Sequence, residues 1–167
     1  MAPTSVHFAG DDPFADTKVG HDLTRALVDA IPDPFLVLNQ DLRVIVASRS
    51  FYEAFHLKKE DVQGRLLRDI GNGEYDIPAL QYFLARITSE HSLMKEFKIV
   101  HDFLTIGHRV LLLSAREVVY ENSGRKHVLL SIGDITGQER LEEEKEKLSQ
   151  EKDLLIKEMR HRMANSL

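Results

Sequence analysis

The residue best placed to do chemistry is His161, within the run Lys157-Glu158-Met159-Arg160-His161-Arg162-Met163-Ala164-Asn165. The segment around it is rich in strong helix formers and contains no proline, so a helix is expected there. On a helix, Glu158, three residues before the imidazole, and Asn165, four after it, share its face. An imidazole attacks through one neutral ring nitrogen while a partner orients the other. Glu158 is suited to orient the ring or take its proton, with Asn165 in support. Arg160 and Arg162 set positive charge beside the ring, where an incoming phosphoryl group would need it. A lone histidine in a charged helix is ordinarily a solvated side chain, and only the spacing of its neighbours separates His161 from that case.

Other chemistries are excluded or weakly supported. The chain has no cysteine, which rules out disulfides, thiolate zinc sites, a cysteine nucleophile and any cofactor held through a protein sulfur. Its eight histidines show no H-x-H or H-x-x-x-H spacing, so no metal site is expected. His101 and Asp102 are neighbours in an expected strand and point to opposite faces, so they form no dyad. No Ser–His–Asp or paired-carboxylate arrangement is evident. Gly71-Asn72-Gly73 reads as a turn rather than a phosphate cradle. A net charge of −5 argues against nucleic acid as a partner. No apolar run approaches the roughly 20 residues that cross a bilayer, and the N-terminus lacks a secretory pattern. The expectation is a cytoplasmic chain with no membrane partner.

Several elements must position these residues. With 43% hydrophobic and 29% charged residues over 167 positions, the chain suits one compact domain and an appendage. Residues 1–18 read as a flexible arm. Leu23, Ala26, Leu27, Ala30 and Ile31 form one apolar stripe, predicting an amphipathic helix over 21–31 that Pro32 and Pro34 stop. Strands are expected at Phe35–Asn39 and Arg43–Ala47, joined by a turn at Asn39-Gln40-Asp41. Phe51, Tyr52 and Phe55 share a helical face within Ser48–Phe55. A longer helix should follow Asp76 as cap and bury Leu80, Phe83, Leu84 and Ile87, ending near Glu90. Strands Lys95–Phe103, His108–Tyr120 and Lys126–Ile135 complete the domain, the last two joined by a polar loop over 121–124. This order implies an α+β fold, a five-stranded antiparallel sheet with helices on one face.

The runs Val110-Leu111-Leu112-Leu113 and Val128-Leu129-Leu130 do not alternate, which predicts that both sheet faces are covered. The helix over 21–31 and a second subunit are the expected covers, giving a homodimer through the N-terminal helix and the sheet face. Phe51, Phe55, Tyr75, Tyr82 and Phe83 read as core before they read as a ligand pocket.

From Gly137 the composition turns to charged helix formers. Leu141, Leu148 and Leu155 recur every seven residues, with Gln138, Lys145, Lys152 and Met159 at the other core position. That is a marginal coiled-coil seam, a third dimer contact. A solvated helix held by pairs such as Glu143–Lys147 is the competing reading. No Gly or Pro closes the helix by Leu167, so it is expected to continue in a longer protein.

Asp134-Ile135-Thr136, ending the last strand just before this helix, resembles the junction that ends many PAS domains, and the element order over 21–136 matches that family. The resemblance implies a domain organisation of arm 1–18, PAS sensor domain 19–136, and signalling helix with a truncated phospho-acceptor box 137–167. The Glu158–Asn165 pattern resembles the phospho-acceptor box of HWE-type and related bacterial sensor histidine kinases. It matches at Glu158, Met159, His161, Arg162 and Asn165 and departs at Ala164, where the family usually has lysine. The resemblance implies that His161 accepts phosphate and passes it to an aspartate of a response regulator, with ATP and Mg²⁺ bound only by a kinase domain outside this chain. A PAS domain serving purely as a dimerisation or scaffolding module is the alternative. For the PAS interior no cofactor is identified. Its flavin photosensors use a cysteine, absent here, and its haem binders use a histidine on the long helix, where this chain has none; His91 lies just beyond it.

Overall fold

The computed structural model describes residues 17–90, 93–119 and 124–166. Its elements run α1 (Thr17–Asp29), β1 (Phe35–Asn39), β2 (Val44–Ala47), α2 (Arg49–Phe55), α3 (Lys59–Val62), a 3₁₀ segment (Leu67–Gly73), α4 (Pro78–Glu90), β3 (Leu93–Phe103), β4 (Gly107–Val119), β5 (Lys126–Asp134) and α5 (Thr136–Asn165). The strands form one antiparallel sheet in the order β2-β1-β5-β4-β3. The expected α+β architecture is therefore present. Most of the expected arm, the loop over 121–123, Tyr120 and His91 lie outside the described residues.

One face of the sheet carries the core. Leu36 and Leu38 of β1, Leu111, Leu113 and Ala115 of β4, and Val128, Leu130 and Ile132 of β5 all turn inward, because alternate strand residues share a face. They meet Phe51 and Phe55 of α2, Val62 of α3, and Leu80, Phe83, Leu84 and Ile87 of α4. Phe51 stands 4.9 Å from Phe55 and 6.3 Å from Tyr75, and Tyr75 stands 5.6 Å from Phe103. Burying one such ring contributes about 2–3 kcal/mol. Four of the five aromatics singled out in the sequence are core; Tyr82 instead lies on the exposed side of α4. Burial also pushes the Tyr75 phenol well above its ordinary range, with the Glu74 carboxylate adding to the rise, so it stays a neutral core group.

The outer face departs from expectation. In β5 the residues between the core positions, Leu129, Ser131 and Gly133, are only half-buried, and Val100 of β3 is exposed. Alternation is thus present, and the apolar runs that hide it place large side chains on a partly open surface. The helix that was to cover this face is rotated. Among the described side-chain positions of α1, Gly20 and Val28 are buried, while Leu23 and Leu27 of the predicted stripe are exposed. At its C-terminal end the Asp29 carboxylate accepts the Arg49 amide proton at 2.9 Å and so helps to cap α2.

Local chemistry fixes the other boundaries. Arg43 is not part of β2, because Asn39 Oδ1 accepts from the amides of Asp41 and Arg43 and holds the turn that long, with Leu42 at φ 61°. Ser48 caps α2 instead of joining it. The first α4 bond goes to the Ile77 carbonyl, from Gln81, which leaves Asp76 upstream of the cap position. Gly71, Asn72 and Gly73 all have positive φ, the left-handed turn that glycine and asparagine tolerate. In β3, Glu96 at φ 59° marks a bulge between Met94 and Phe97. The bulge returns Phe97 to the core side, where it stacks on Phe83 at 4.9 Å.

Ser48 is fully buried, and its hydroxyl accepts from the amides of Phe35 at 2.9 Å and Phe51 at 3.2 Å. Ser48→Ala takes the acceptor from the Phe35 amide and leaves Phe51 only its 3.1 Å bond to the Ser48 carbonyl, and should lower unfolding free energy by about 1–2 kcal/mol. Urea denaturation followed by circular dichroism measures this, and Ser48→Thr, which keeps the hydroxyl, should cost less.

Candidate functional site at the sheet–helix junction

The strand β5 ends at Asp134 and α5 begins at Thr136, so the polypeptide turns from sheet to helix within one residue. Asp134 Oδ1 accepts from the Thr136 amide at 3.0 Å and from the Thr136 hydroxyl at 2.5 Å. The Thr136 hydroxyl oxygen in turn accepts from the Val110 amide at 2.9 Å, and the Ile135 amide donates to the Val110 carbonyl at 2.9 Å. Both backbone groups of Val110 are thereby used after the regular β4–β5 ladder has ended at Leu111–Asp134. A side-chain hydroxyl continues the ladder where the strand can no longer do so. Thr136 is 9% exposed, so an unpaired polar group here would be costly.

Charge closes the same corner from outside. Arg109 Nε lies 3.3 Å from the second Asp134 oxygen. Lys98 Nζ of β3 lies 2.6 Å from Glu139 Oε2 in the first turn of α5. Each pair is partly solvated and worth up to about 1 kcal/mol; both span the corner between the sheet and α5. The sequence pointed to Asp134, Ile135 and Thr136 but missed Lys98, Arg109, Val110 and Glu139. An arginine and a lysine on neighbouring strands were the available signal. Glu74 was missed as well. It accepts from the Leu104 amide and from the Thr105 hydroxyl at 2.8 Å, tying the β3–β4 turn to the 3₁₀ segment.

Beyond Glu139 every described residue of α5 is exposed, and the helix runs 30 residues. At 1.5 Å per residue it carries His161 about 38 Å from Thr136. There the Asn165 amide nitrogen sits 3.0 Å from His161 Nδ1. Among the described residues Asn165 is the ring's hydrogen-bond partner, and Glu158 makes no bond to it. A donating amide puts the ring proton on Nε2. Turned over, the same amide accepts from Nδ1–H and leaves the Nε2 lone pair free to attack an electrophile. Asp134–Thr136 and His161 are thus two separate sites joined by one helix. Asp102, which His101 could not engage along its strand, instead meets His108 Nδ1 at 2.7 Å across the β3–β4 pair. Among the described residues no helix is long and apolar enough to cross a membrane.

Thr136→Val removes the bridging hydroxyl while keeping its shape. The Val110 amide should then exchange with solvent roughly ten-fold faster, the equivalent of one hydrogen bond of about 1.4 kcal/mol. Hydrogen exchange measured residue by residue tests this; an unchanged Val110 rate would remove the hydroxyl from the junction.

The PAS fold family matches residues 28–140. No curated protein matches the chain. Among solved structures, the PAS domain of BvgS from Bordetella pertussis superposes with a TM-score of 0.56 at 17% identity, covering 79% of this chain and 98% of that one. A PAS domain from a two-component sensor histidine kinase gives 0.53 at 10% identity, covering 71% and 99%. An RNA-binding light-oxygen-voltage receptor gives 0.62 at 16% identity, covering 88% of this chain and 41% of that one. With the family match spanning the sheet, its helices and the start of α5, this chain belongs to the PAS fold family.

Proposed function

We propose that this chain is the sensory module of a cytoplasmic, homodimeric two-component histidine kinase of HWE or related type. In this reading a change in the PAS domain alters how α5 leaves Asp134-Ile135-Thr136. The helix carries that change to His161, which takes phosphate from ATP and hands it to a response-regulator aspartate. ATP and Mg²⁺ belong to a catalytic domain of the whole protein. The observation that carries the proposal is the Asn165–His161 bond at 3.0 Å, on a helix rooted in the sheet by Thr136. A partner amide able to choose the ring tautomer is what a histidine nucleophile needs. One structural neighbour is itself described as part of a sensor histidine kinase, which supports the reading. Dimerisation is supported by the exposed Leu23 and Leu27 of α1, the open outer sheet face with Val100, and the exposed leucines of α5.

A second reading, a dimerisation module with neither ligand nor phosphotransfer, is favoured by the way Phe51, Phe55, Tyr75 and Phe103 pack on one another in the interior. Labelling with γ-phosphate-labelled ATP in the whole kinase separates the two. Label should fall to background in His161→Ala, and survival of the label would remove His161 as acceptor. Asn165→Ala should keep the acceptor and slow labelling roughly ten-fold, the value of one orienting hydrogen bond.

A further inference from the structure

The strand β3 ends the sheet. It pairs with β4 on one side and, among the described residues, with no strand on the other. Such an edge presents a row of backbone N–H and C=O groups to any strand that can lie against it. The Glu96 bulge interrupts the first part of this edge. Beyond the bulge, β3 keeps regular register with β4 from Phe97 to Phe103.

Side chains decide what can pair there. Successive residues alternate between faces, so Ile99 and Phe103 are buried on the core side while Lys98, Val100 and Asp102 share the outer face. Val100 is 55% exposed. The side chains of Lys98 and Asp102 are 48% and 84% exposed, although each already has a partner in the chain, Glu139 and His108. Along this face the order is cation, apolar, anion.

That order is self-complementary. When two copies of a strand pair antiparallel about a twofold axis perpendicular to the sheet, opposed residues lie on the same face. With the axis at Val100 the two valines meet, and Lys98 of each copy lies opposite Asp102 of the other. The match is lost at neighbouring centres. An axis at Lys98 or at Asp102 opposes two like charges, which is unfavourable. An axis at Ile99 sets Val100 opposite Lys98, and one at His101 sets it opposite Asp102. A lysine on an edge strand ordinarily discourages pairing; with the axis at Val100 it meets a carboxylate instead.

We infer that this edge pairs with the same edge of a second copy of the chain, Phe97–Phe103 against Phe97–Phe103 with Val100 at the axis, joining two sheets into one. The contact is separate from the phosphate acceptor and from the dimer contacts proposed above, and does not depend on them. It sets Lys98 between Glu139 of its own chain and Asp102 of the other, so one ammonium serves both the edge and the corner between the sheet and α5.

Because the chain has no cysteine, full chains carrying Lys98→Cys and Asp102→Cys can be purified apart, mixed and oxidised briefly. Across the axis, position 98 faces position 102 with Cβ atoms about 5 Å apart, close enough for a disulfide. Like positions lie roughly 13 Å apart and cannot link. The mixed dimer is also the one combination that keeps a Lys98–Asp102 pair. The 98–102 product should exceed the 98–98 and 102–102 products several-fold, and Val100→Cys, at the axis, should link to itself. A mixed product at or below its random share would overturn the pairing, and any strand on this edge would then belong to a different protein. A Val100→Cys chain that fails to link overturns the register.

Discussion

The Thr136 hydroxyl is bonded on both sides, donating to Asp134 and accepting from Val110. This arrangement solves a problem that any strand-to-helix turn meets. The ladder ends, yet the backbone groups of the neighbouring strand still need partners in a place from which water is largely excluded. Asp134 gathers the first free amide of the helix, Thr136 satisfies Val110, and Arg109 balances the carboxylate. The consequence is mechanical. The first turn of α5 is an extension of the sheet, so a displacement of β4 or β5 reaches the helix without an intervening flexible linker.

The interior explains which displacements are available. The sheet is held against α2 and α4 by interlocking rings, and the Glu96 bulge lets β3 bend while keeping Phe97 on the core side. Glu74 ties the far end of the β3–β4 pair to the 3₁₀ segment. Lys98, on the same edge strand, reaches Glu139 of α5. One strand thus touches both the interior and the outgoing helix.

The helix α5 is built differently from the domain. It buries almost nothing of its own beyond Thr136. In the proposed dimer, Lys145 and Lys152 at alternate seam positions would keep the pairing weak, and weak pairing can be biased by a few kcal/mol. In the proposed signalling module a rigid root and a marginal shaft would be complementary, because small energies at the root could matter only to an interface that is itself poised.

Much of this was legible in the sequence where a single residue type or a local period decides the outcome. The strand and helix order, most of the aromatic core, the turn at Gly71-Asn72-Gly73 and the helix carrying Glu158, His161 and Asn165 all follow from spacing within a few residues. The PAS resemblance located Asp134-Ile135-Thr136. What spacing could not reveal was any contact between distant segments. The partnership of Lys98 with Glu139, Arg109 with Asp134, and Glu74 with the β3–β4 turn depends on strand register and helix direction. The contact of Asp29 with the Arg49 amide and the outward placing of Leu23 and Leu27 on α1 likewise depend on how separate segments pack. Sequence by itself determined which residues could do chemistry and on which faces of their own elements they lie. Tertiary structure alone decided which of those faces meet, because only the closed sheet brings groups far apart in the chain to within hydrogen-bonding distance.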